Sequence, residues 1–259
     1  DVVKKAQARQ AIDDAATAKK ATIDQTPDAT QEEKDAAKQK VDQAVTEAKG
    51  NIDRAATNNE VDTANTNGVS NINAITVDVV KKAQARQTID DAATAKKATI
   101  DQTPDATQEE KDAAKQKVDQ AVTEAKGNID RATTNNDVDT ANTNGVNNIN
   151  AVTVDVVKKA QARQAIDDAA TAKKATIDQT PDATQEEKDA AKQKVDQAVT
   201  EAKGNIDRAA TNNEVDTANT NGVSNINAIT VDVVKKAQAR QTIDDAATAK
   251  KATIDQTPD

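Results

Sequence analysis

The chain has 259 residues, and its 44 acidic and 35 basic residues give it a net charge of −9. It contains no Cys, His, Met, Phe, Tyr, Trp or Leu. Without Cys and His, the usual zinc, haem and iron–sulfur sites lack ligands, and nucleophilic triads lack a base. Without aromatic rings no base-stacking surface can form, and an acidic chain is poorly suited to phosphate backbones. We therefore predict no enzyme activity, no catalytic, cofactor-binding or metal-binding residue, no small-molecule substrate and no nucleic-acid partner.

Membrane insertion is not predicted either, because no run of residues approaches the ~18 apolar residues that a spanning helix needs. No signal peptide opens the sequence, so we expect a cytosolic protein or an internal fragment of a longer one. The absence of disulfides fits the cytosol and fits a surface protein equally well.

The sequence is a tandem repeat with a fixed period, because the string that begins at Asp1 returns at Asp78, Asp155 and Asp232. The first and third copies are identical, and the second differs from them at five positions. We predict repeats at residues 1–77, 78–154 and 155–231, followed by the first helix of a fourth repeat at 232–259.

Each repeat begins with a predicted helix from Val2 to about Gln25. Its apolar stripe has helical spacing and is interrupted once, by Lys19; the stripe consists of Ala8, Ile12, Ala15, Lys19 and Ile23. Pro27 ends this helix, and Thr26-Pro27-Asp28 is predicted to form a turn.

The second helix is predicted to begin after Thr30, which forms a capping-box pattern with Glu33. Its stripe again has spacings of three and four residues and comprises Ala37, Val41, Ala44, Ala48, Ile52 and Ala55. Gly50 lies inside this helix, where it indicates either a close helix contact or a position without structural demand.

A second capping-box pattern, Thr57 with Glu60, predicts a third helix. Its stripe comprises Val61, Ala64, Gly68, Ile72 and Ile75. Asn and Thr are frequent here, so we also consider a break at Gly68. The three helices predict an all-α fold, a tandem array of three-helix bundles arranged end to end as in spectrin.

The junction between repeats allows two interpretations. The apolar stripe continues through Ile75 and Val79 without Pro or Gly, which favours one continuous helix into the next repeat. The β-branched residues of segment 75–80 and a possible N-cap at Asp78 favour a break instead. The sequence also leaves open which three consecutive helices form one bundle. The chain divides equally well into three units and a trailing helix or into a leading helix (1–28) and three units.

No cluster of side chains in the sequence is predicted to form a catalytic or metal-binding site. Asp13 and Asp14 are adjacent in a helix and therefore point about 100° apart, which favours a solvated surface. Segment 63–74 resembles the outline of a calcium loop, but Thr63 and Ala74 stand where an EF-hand needs Asp and Glu. The pairs Lys4-Lys5 and Lys19-Lys20 are interpreted as solvated helix faces, and the two serines, Ser70 and Ser224, have no base to activate them.

The repeat resembles the SAFF-type repeat, formerly a domain of unknown function, of staphylococcal cell-wall-anchored surface proteins (the SasC, Mrp and FmtB group). It also resembles Ebh-like helical repeats. The Thr-Gln-Glu-Glu-Lys motif at Thr30 to Lys34, together with the length of the repeat, makes the resemblance more specific than the Ala- and Lys-rich helices alone would. The matching positions are residues 15–20, 29–34, 41–49 and 55–58, with Ile52, Asp53, Val61, Ala64, Gly68, Ile72, Ala74 and Ile75.

The resemblance implies an extracellular, wall-anchored parent protein associated with cell aggregation and biofilm formation. The leading hypothesis is a structural stalk, a monomeric rod of bundles that holds an adhesive domain away from the wall. A rival hypothesis is a binding module whose partner is a second copy of itself or a host surface protein, with multivalency strengthening weak sites. A third hypothesis is that the chain is part of an intracellular scaffold.

Overall fold

A computed structural model describes residues 2–255 of the chain, and over that range it is built from α-helices without strands. The helices are α1 (Val2–Asp24), α2 (Gln31–Arg54), α3 (Asn58–Ala74), α4 (Lys81–Asp101), α5 (Gln108–Arg131), α6 (Asn135–Ala151), α7 (Lys158–Asp178), α8 (Gln185–Arg208), α9 (Asn212–Ala228) and α10 (Lys235–Asp255). Each of the three repeats contributes three helices, so the predicted all-α fold class is confirmed.

The chain divides into two compact units, one made of Asp1–Thr99 with Lys115–Val152 and the other of Ile100–Ala114 with Thr153–Asp259. In the first unit, α1, α2 and α3 pack pairwise against one another around a core of Ala, Val and Ile side chains. In the second unit, α7, α8 and α9 do the same. Each of these two bundles therefore begins with the first helix of a repeat.

The core of the first bundle follows the predicted stripes. Its fully enclosed side chains are Ile12, Val41, Ile52, Val61 and Ile72, each with 0% exposure. One detail of α1 differs from the prediction, because Ala16 is buried whereas Ala15 is only partly buried against the core. Lys19 interrupts the stripe as predicted, and its Nζ donates to Asn73 O of α3 over 2.9 Å.

Both predicted capping boxes of the first repeat are confirmed. The Thr30 side chain accepts from Glu33 N at the start of α2, and the Thr57 side chain accepts from Glu60 N at the start of α3. In each box the glutamate side chain returns to the backbone N–H of the capping threonine. Short polar side chains thus fix where these two helices begin.

Gly68 does not break α3, which continues through it to Ala74. The glycine is buried where the three helices cross. A Cβ built on it would lie 2.6 Å from Ala48 Cβ and 2.7 Å from Ile12 Cδ1. Close approach of the helices, and not backbone flexibility, explains why the residue is glycine.

Gly50 is the contrasting case, because the nearest atoms its Cβ would meet belong to the flexible guanidinium of Arg54, the closest at 3.3 Å. We expect Gly50→Ala, made together with Gly127→Ala and Gly204→Ala, to stabilise each repeat by up to about 1 kcal/mol, since alanine has the higher helix propensity. Urea unfolding followed by circular dichroism would show a higher midpoint. A lower midpoint would mean that these glycines are needed for packing.

The junction between the first two repeats is not a continuous helix. α3 ends at Ala74, Ile75 is extended with φ −67° and ψ 132°, and α4 begins only at Lys81. Crowding by successive β-branched side chains disfavours the helix here, and exposure alternates along the segment so that Ile75, Val77 and Val79 are half-buried. Asp78 is not the N-cap of α4. It forms an ion pair with Lys40 at 2.8 Å instead.

Candidate functional site

The most elaborate polar arrangement in the described structure surrounds the connection between α1 and α2. The predicted turn at Pro27 is present, and Asp28 adopts the left-handed conformation, with φ 61°. A short Asp side chain tolerates this region better than most residues. The turn carries Ala29 and Thr30 into the interior, where they are 8% and 0% exposed.

Thr30 lies at the centre of this arrangement. Its Oγ1 accepts from Glu33 N at 3.3 Å and donates to Asn135 Oδ1 at 2.8 Å. Asn135 is the first residue of α6, which belongs to the second repeat and lies in the same compact unit. The N-cap of one repeat is therefore also a contact with the next.

Glu33 uses both carboxylate oxygens. One oxygen, Oε2, accepts from Thr30 N at 2.9 Å and completes the capping box of α2. The other, Oε1, accepts from Val80 N and Lys81 N, each at 2.8 Å. Those two N–H groups stand at the start of α4, so one carboxylate caps helices of two successive repeats.

The neighbouring Glu32 makes the corresponding contact to α6, since its Oε2 accepts from Asn135 N at 2.9 Å. Beside it, Gln31 N donates to Thr133 O at 2.9 Å. The Thr-Gln-Glu-Glu segment thus engages both α4 and the connection that leads into α6.

Arg86 of α4 completes the junction from the other side. Its guanidinium donates to Asp28 Oδ1 at 3.2 Å and, through Nε at 2.8 Å, to Asp130 Oδ1 near the end of α5. Next to it, Lys82 is only 5% exposed and its Nζ donates to Asp130 O at 2.7 Å. Lys82 thus satisfies a backbone carbonyl that the carboxyl end of α5 leaves free, while Arg86 pairs with side-chain carboxylates.

The same contacts recur in the second unit, where the second repeat meets the third. They are Gln108 N to Ala210 O (2.9 Å), Thr107 Oγ1 to Asn212 Oδ1 (2.7 Å), Asn212 N to Glu109 Oε2 (2.9 Å), Glu110 Oε1 to the N–H groups of Val157 and Lys158 (2.8 Å each), and Arg163 Nη2 to Asp105 Oδ1 (3.1 Å). Glu187 likewise accepts from Val234 N and Lys235 N at 2.8 Å each. The junction is therefore a repeated feature of the chain.

Hydrogen bonds from backbone N–H groups lower the pKa values of Glu33 and Glu187. Partial burial raises the pKa of Glu33, but the N–H groups of Lys81, Thr30 and Val80 lower it, and its pKa lies below the ordinary value. For Glu187, the N–H groups of Lys235, Thr184 and Val234 lower the pKa to about 2. The carboxylates of Glu33 and Glu187 are consequently ionised at neutral pH and well below it.

Because the folded-state pKa of Glu187 is lowered from 4.5 to about 2, the unfolded chain binds the proton more readily between those values. We expect the stabilisation from Glu187 to be complete above about pH 5 and to disappear as the pH falls towards 2. The lowered pKa values of Glu33 and Glu110 predict a loss of stability in the same direction as the solution is acidified. The check is the difference in urea midpoint between the wild-type chain and a Glu33→Gln, Glu110→Gln, Glu187→Gln variant across pH 7 to 2. A difference that shrinks between pH 7 and 5 would contradict the expectation.

The clusters considered in the sequence do not converge into a site. Asp13 pairs with Lys49 of α2 at 2.6 Å, whereas Asp14 accepts from Gln10 of its own helix at 2.8 Å, so the adjacent carboxylates face different neighbours. Within residues 2–255 no group of three or more acidic, His or Cys side chains is arranged to hold a metal ion.

The lysine pairs have a definite structural role. Lys4 pairs with Asp62 of α3 at 2.6 Å, and Lys5 donates to Asp53 O at the end of α2 over 3.0 Å. Lys20 pairs with Asp42 of α2 at 2.5 Å. These lysines lie on partly exposed helix faces and also connect neighbouring helices, a role that spacing along one helix could not indicate.

Three tandem matches to one family model cover residues 4–80, 81–157 and 158–234. The chain belongs to the DUF1542 family. The model's description is Domain of Unknown Function (DUF1542), and the matched segments follow one another with the same period as the sequence repeat.

The DUF1542 chain is also similar to very large staphylococcal proteins. It is 28% identical over 237 residues to the extracellular matrix-binding protein EbhA of Staphylococcus aureus strain Mu3, covering 92% of this chain and 4% of EbhA. EbhA of strain Newman and ebh of strain COL match with the same identity and the same 92% coverage, over 7% and 2% of their lengths. The resemblance to Ebh-like repeats is thus confirmed, and the chain spans only a small part of these relatives.

No solved structure matches the chain. None of the three relatives is named for a catalytic activity. Their similarity supports an extracellular surface location and identifies the chain as a repeat module of a surface protein. None of the helices in residues 2–255 combines the length and apolar character required to cross a bilayer.

Proposed function

We propose that these DUF1542 repeats form a segment of a structural stalk that projects an adhesive domain from a bacterial cell wall, in a parent protein associated with cell aggregation and biofilm formation. The observation that carries the proposal is the recurrence of the same glutamate contact wherever the described chain passes from one repeat to the next. A spacer needs such a joint, because each added repeat then extends the array in the same way as the one before it.

The proposed structural units are residues 1–77, 78–154 and 155–231, with 232–259 as the first helix of a fourth unit. Each boundary falls inside an extended segment, as the boundary between residues 77 and 78 falls inside segment 75–80. Small-residue cores support the stalk hypothesis. The first and third repeats each hold 16 Ala and the second holds 14, with 12 Val or Ile in each repeat, so the bundles are slender and few large side chains could line a binding pocket.

Small-angle scattering on a size-exclusion column tests the stalk. We expect a monomer of 27.2 kDa. A compact chain of this length would have a radius of gyration of about 18 Å and an unfolded chain about 56 Å. Three bundles in line, with longest helices of 24 residues or ~36 Å, would give a radius of gyration of roughly 30–40 Å. A measured value close to that of the compact chain would overturn the proposal.

A second candidate function, weak multivalent binding, is favoured by one feature of the surface. An open groove of about 270 Å³ lies between the end of α1 and segment 75–80, and Lys19, Ile23, Ile75 and Val77 contribute to its lining. Its counterpart in the third repeat has about 240 Å³. Because the grooves recur, weak contacts to a host matrix protein or to another copy of the chain would gain strength together.

Two measurements separate the binding module from the stalk. Matrix and plasma proteins passed over immobilised chain should be retained if the repeats bind a host protein, and a mass that rises with concentration would indicate self-association. No retention together with a concentration-independent mass would remove the binding function and leave the stalk in place.

A further inference from the structure

We propose that the adjacent glutamates Glu32 and Glu33, with their counterparts in later repeats, couple each repeat to the one that follows it by capping two different helices of that next repeat. The inference goes beyond the stalk and does not depend on it, because it concerns how the folding of neighbouring repeats is linked whatever the array carries.

The first helix of a repeat lacks a cap of its own. α2 and α3 each begin with a threonine whose side chain accepts a backbone N–H. In contrast, the residue before α7 is Val157, which offers no side-chain hydrogen bond to the helix. The first N–H groups of a helix have no acceptor within it. Here the acceptor comes from the preceding repeat, since Glu110 Oε1 lies 2.8 Å from both Val157 N and Lys158 N.

The third helix of a repeat has its own capping box and still receives a carboxylate from the preceding repeat. At the start of α6, Thr134 accepts from Asp137 N at 3.1 Å, while Glu32 accepts from Asn135 N at 2.9 Å. The two glutamates therefore serve different helices, Glu32 the third and Glu33 the first. A negative charge at each helix start is also favoured by the helix dipole.

Neighbouring contacts hold the pair of carboxylates in position. Gln31 N donates to Thr133 O, and the Thr30 hydroxyl donates to Asn135 Oδ1. Glu33 is further fixed by its bond to Thr30 N. Because these bonds orient the start of α2 together with both carboxylates, ordering of the following repeat's helix ends depends on a folded preceding repeat.

The coupling can be tested by hydrogen exchange with mass spectrometry on the full chain, since two reporter segments have sequences that occur once. Segment 131–140 contains Asn135, and segment 152–161 contains Val157 and Lys158. We expect Glu32→Ala to speed exchange at least tenfold in segment 131–140 and to leave segment 152–161 unchanged. Glu110→Ala should have the reverse effect, so each variant is the control for the other.

Glu47→Ala and Glu124→Ala are matched surface controls in the same helices, because both positions are exposed. They should change neither reporter. Glu110→Gln gives a milder variant if Glu110→Ala unfolds the repeat, since a glutamine keeps the side-chain volume but cannot accept bonds through both terminal atoms. Equal acceleration of both reporters by one variant, or no acceleration in either, would overturn the proposal.

Discussion

Replacing Ile12, Ile89 and Ile166 with alanine is expected to cost each repeat about 3 kcal/mol of folding free energy, enough to shift urea unfolding to much lower concentration. All three side chains are 0% exposed. Removing buried methyl and methylene groups loses their transfer free energy and leaves a cavity, which together typically cost ~2–5 kcal/mol. The effect should be severe because the core contains few large side chains that could relax into the space.

Ile243 is the matched control, because it occupies the same position of the repeat in α10 and is 67% exposed. Ile243→Ala should change the urea midpoint very little and, through helix propensity, slightly favour α10. Circular dichroism at increasing urea would measure both variants. If the triple variant unfolded at the wild-type midpoint, Ile12 and its counterparts would not be the centre of the bundles.

Adding one methyl group should be almost as damaging as truncating a buried isoleucine. Gly68→Ala, with Gly145→Ala and Gly222→Ala, places each new Cβ within 2.7 Å of an isoleucine Cδ1 and within 2.6 Å of an alanine Cβ on the facing helix. Overpacking of this kind typically costs ~1–3 kcal/mol, and contacts this short favour the upper end of the range. After the gain of about 1 kcal/mol in helix propensity is subtracted, we expect a net loss of about 2 kcal/mol per repeat.

Two comparisons make the glycine prediction specific. The same substitution at Gly50 and its counterparts should stabilise, whereas helix propensity alone would give the two sets the same sign. Combining Gly68→Ala with Ile12→Val removes the clashing Cδ1, and the urea midpoint should recover part of the loss. An increase in stability on Gly68→Ala would show that the helices can move apart at little cost.

The composition of the core determines how the bundles are stabilised. With no Leu or aromatic residue, the bundles rely on close helix approach at positions such as Gly68 and Ala48, and on ion pairs between helices such as Lys20 with Asp42. The latter pairs are largely exposed and each is worth less than about 1 kcal/mol. Apolar packing at the helix crossings therefore dominates the stability of a repeat.

Local sequence determined the helices of each repeat. Apolar residues at spacings of three and four, and the Thr30–Glu33 and Thr57–Glu60 boxes, fixed the helix type and two of the helix starts, because these signals act within one or two turns. The repeat organisation follows likewise from the sequence period alone, and the lack of the usual metal ligands and stacking side chains follows from the absence of Cys, His and aromatic residues.

Tertiary structure decided what those signals left open. Whether α3 continued past Ala74, and whether Gly68 marked a break or a crossing, depended on groups distant in sequence: Glu33, 47 residues before Val80, caps the next helix, and Ala48 and Ile12 close around Gly68. The sequence predicted Glu33 only as a capping-box residue, because the spacing of nearby residues does not indicate what the second carboxylate oxygen will bind. Its partner across the junction exists only once two repeats have folded against each other.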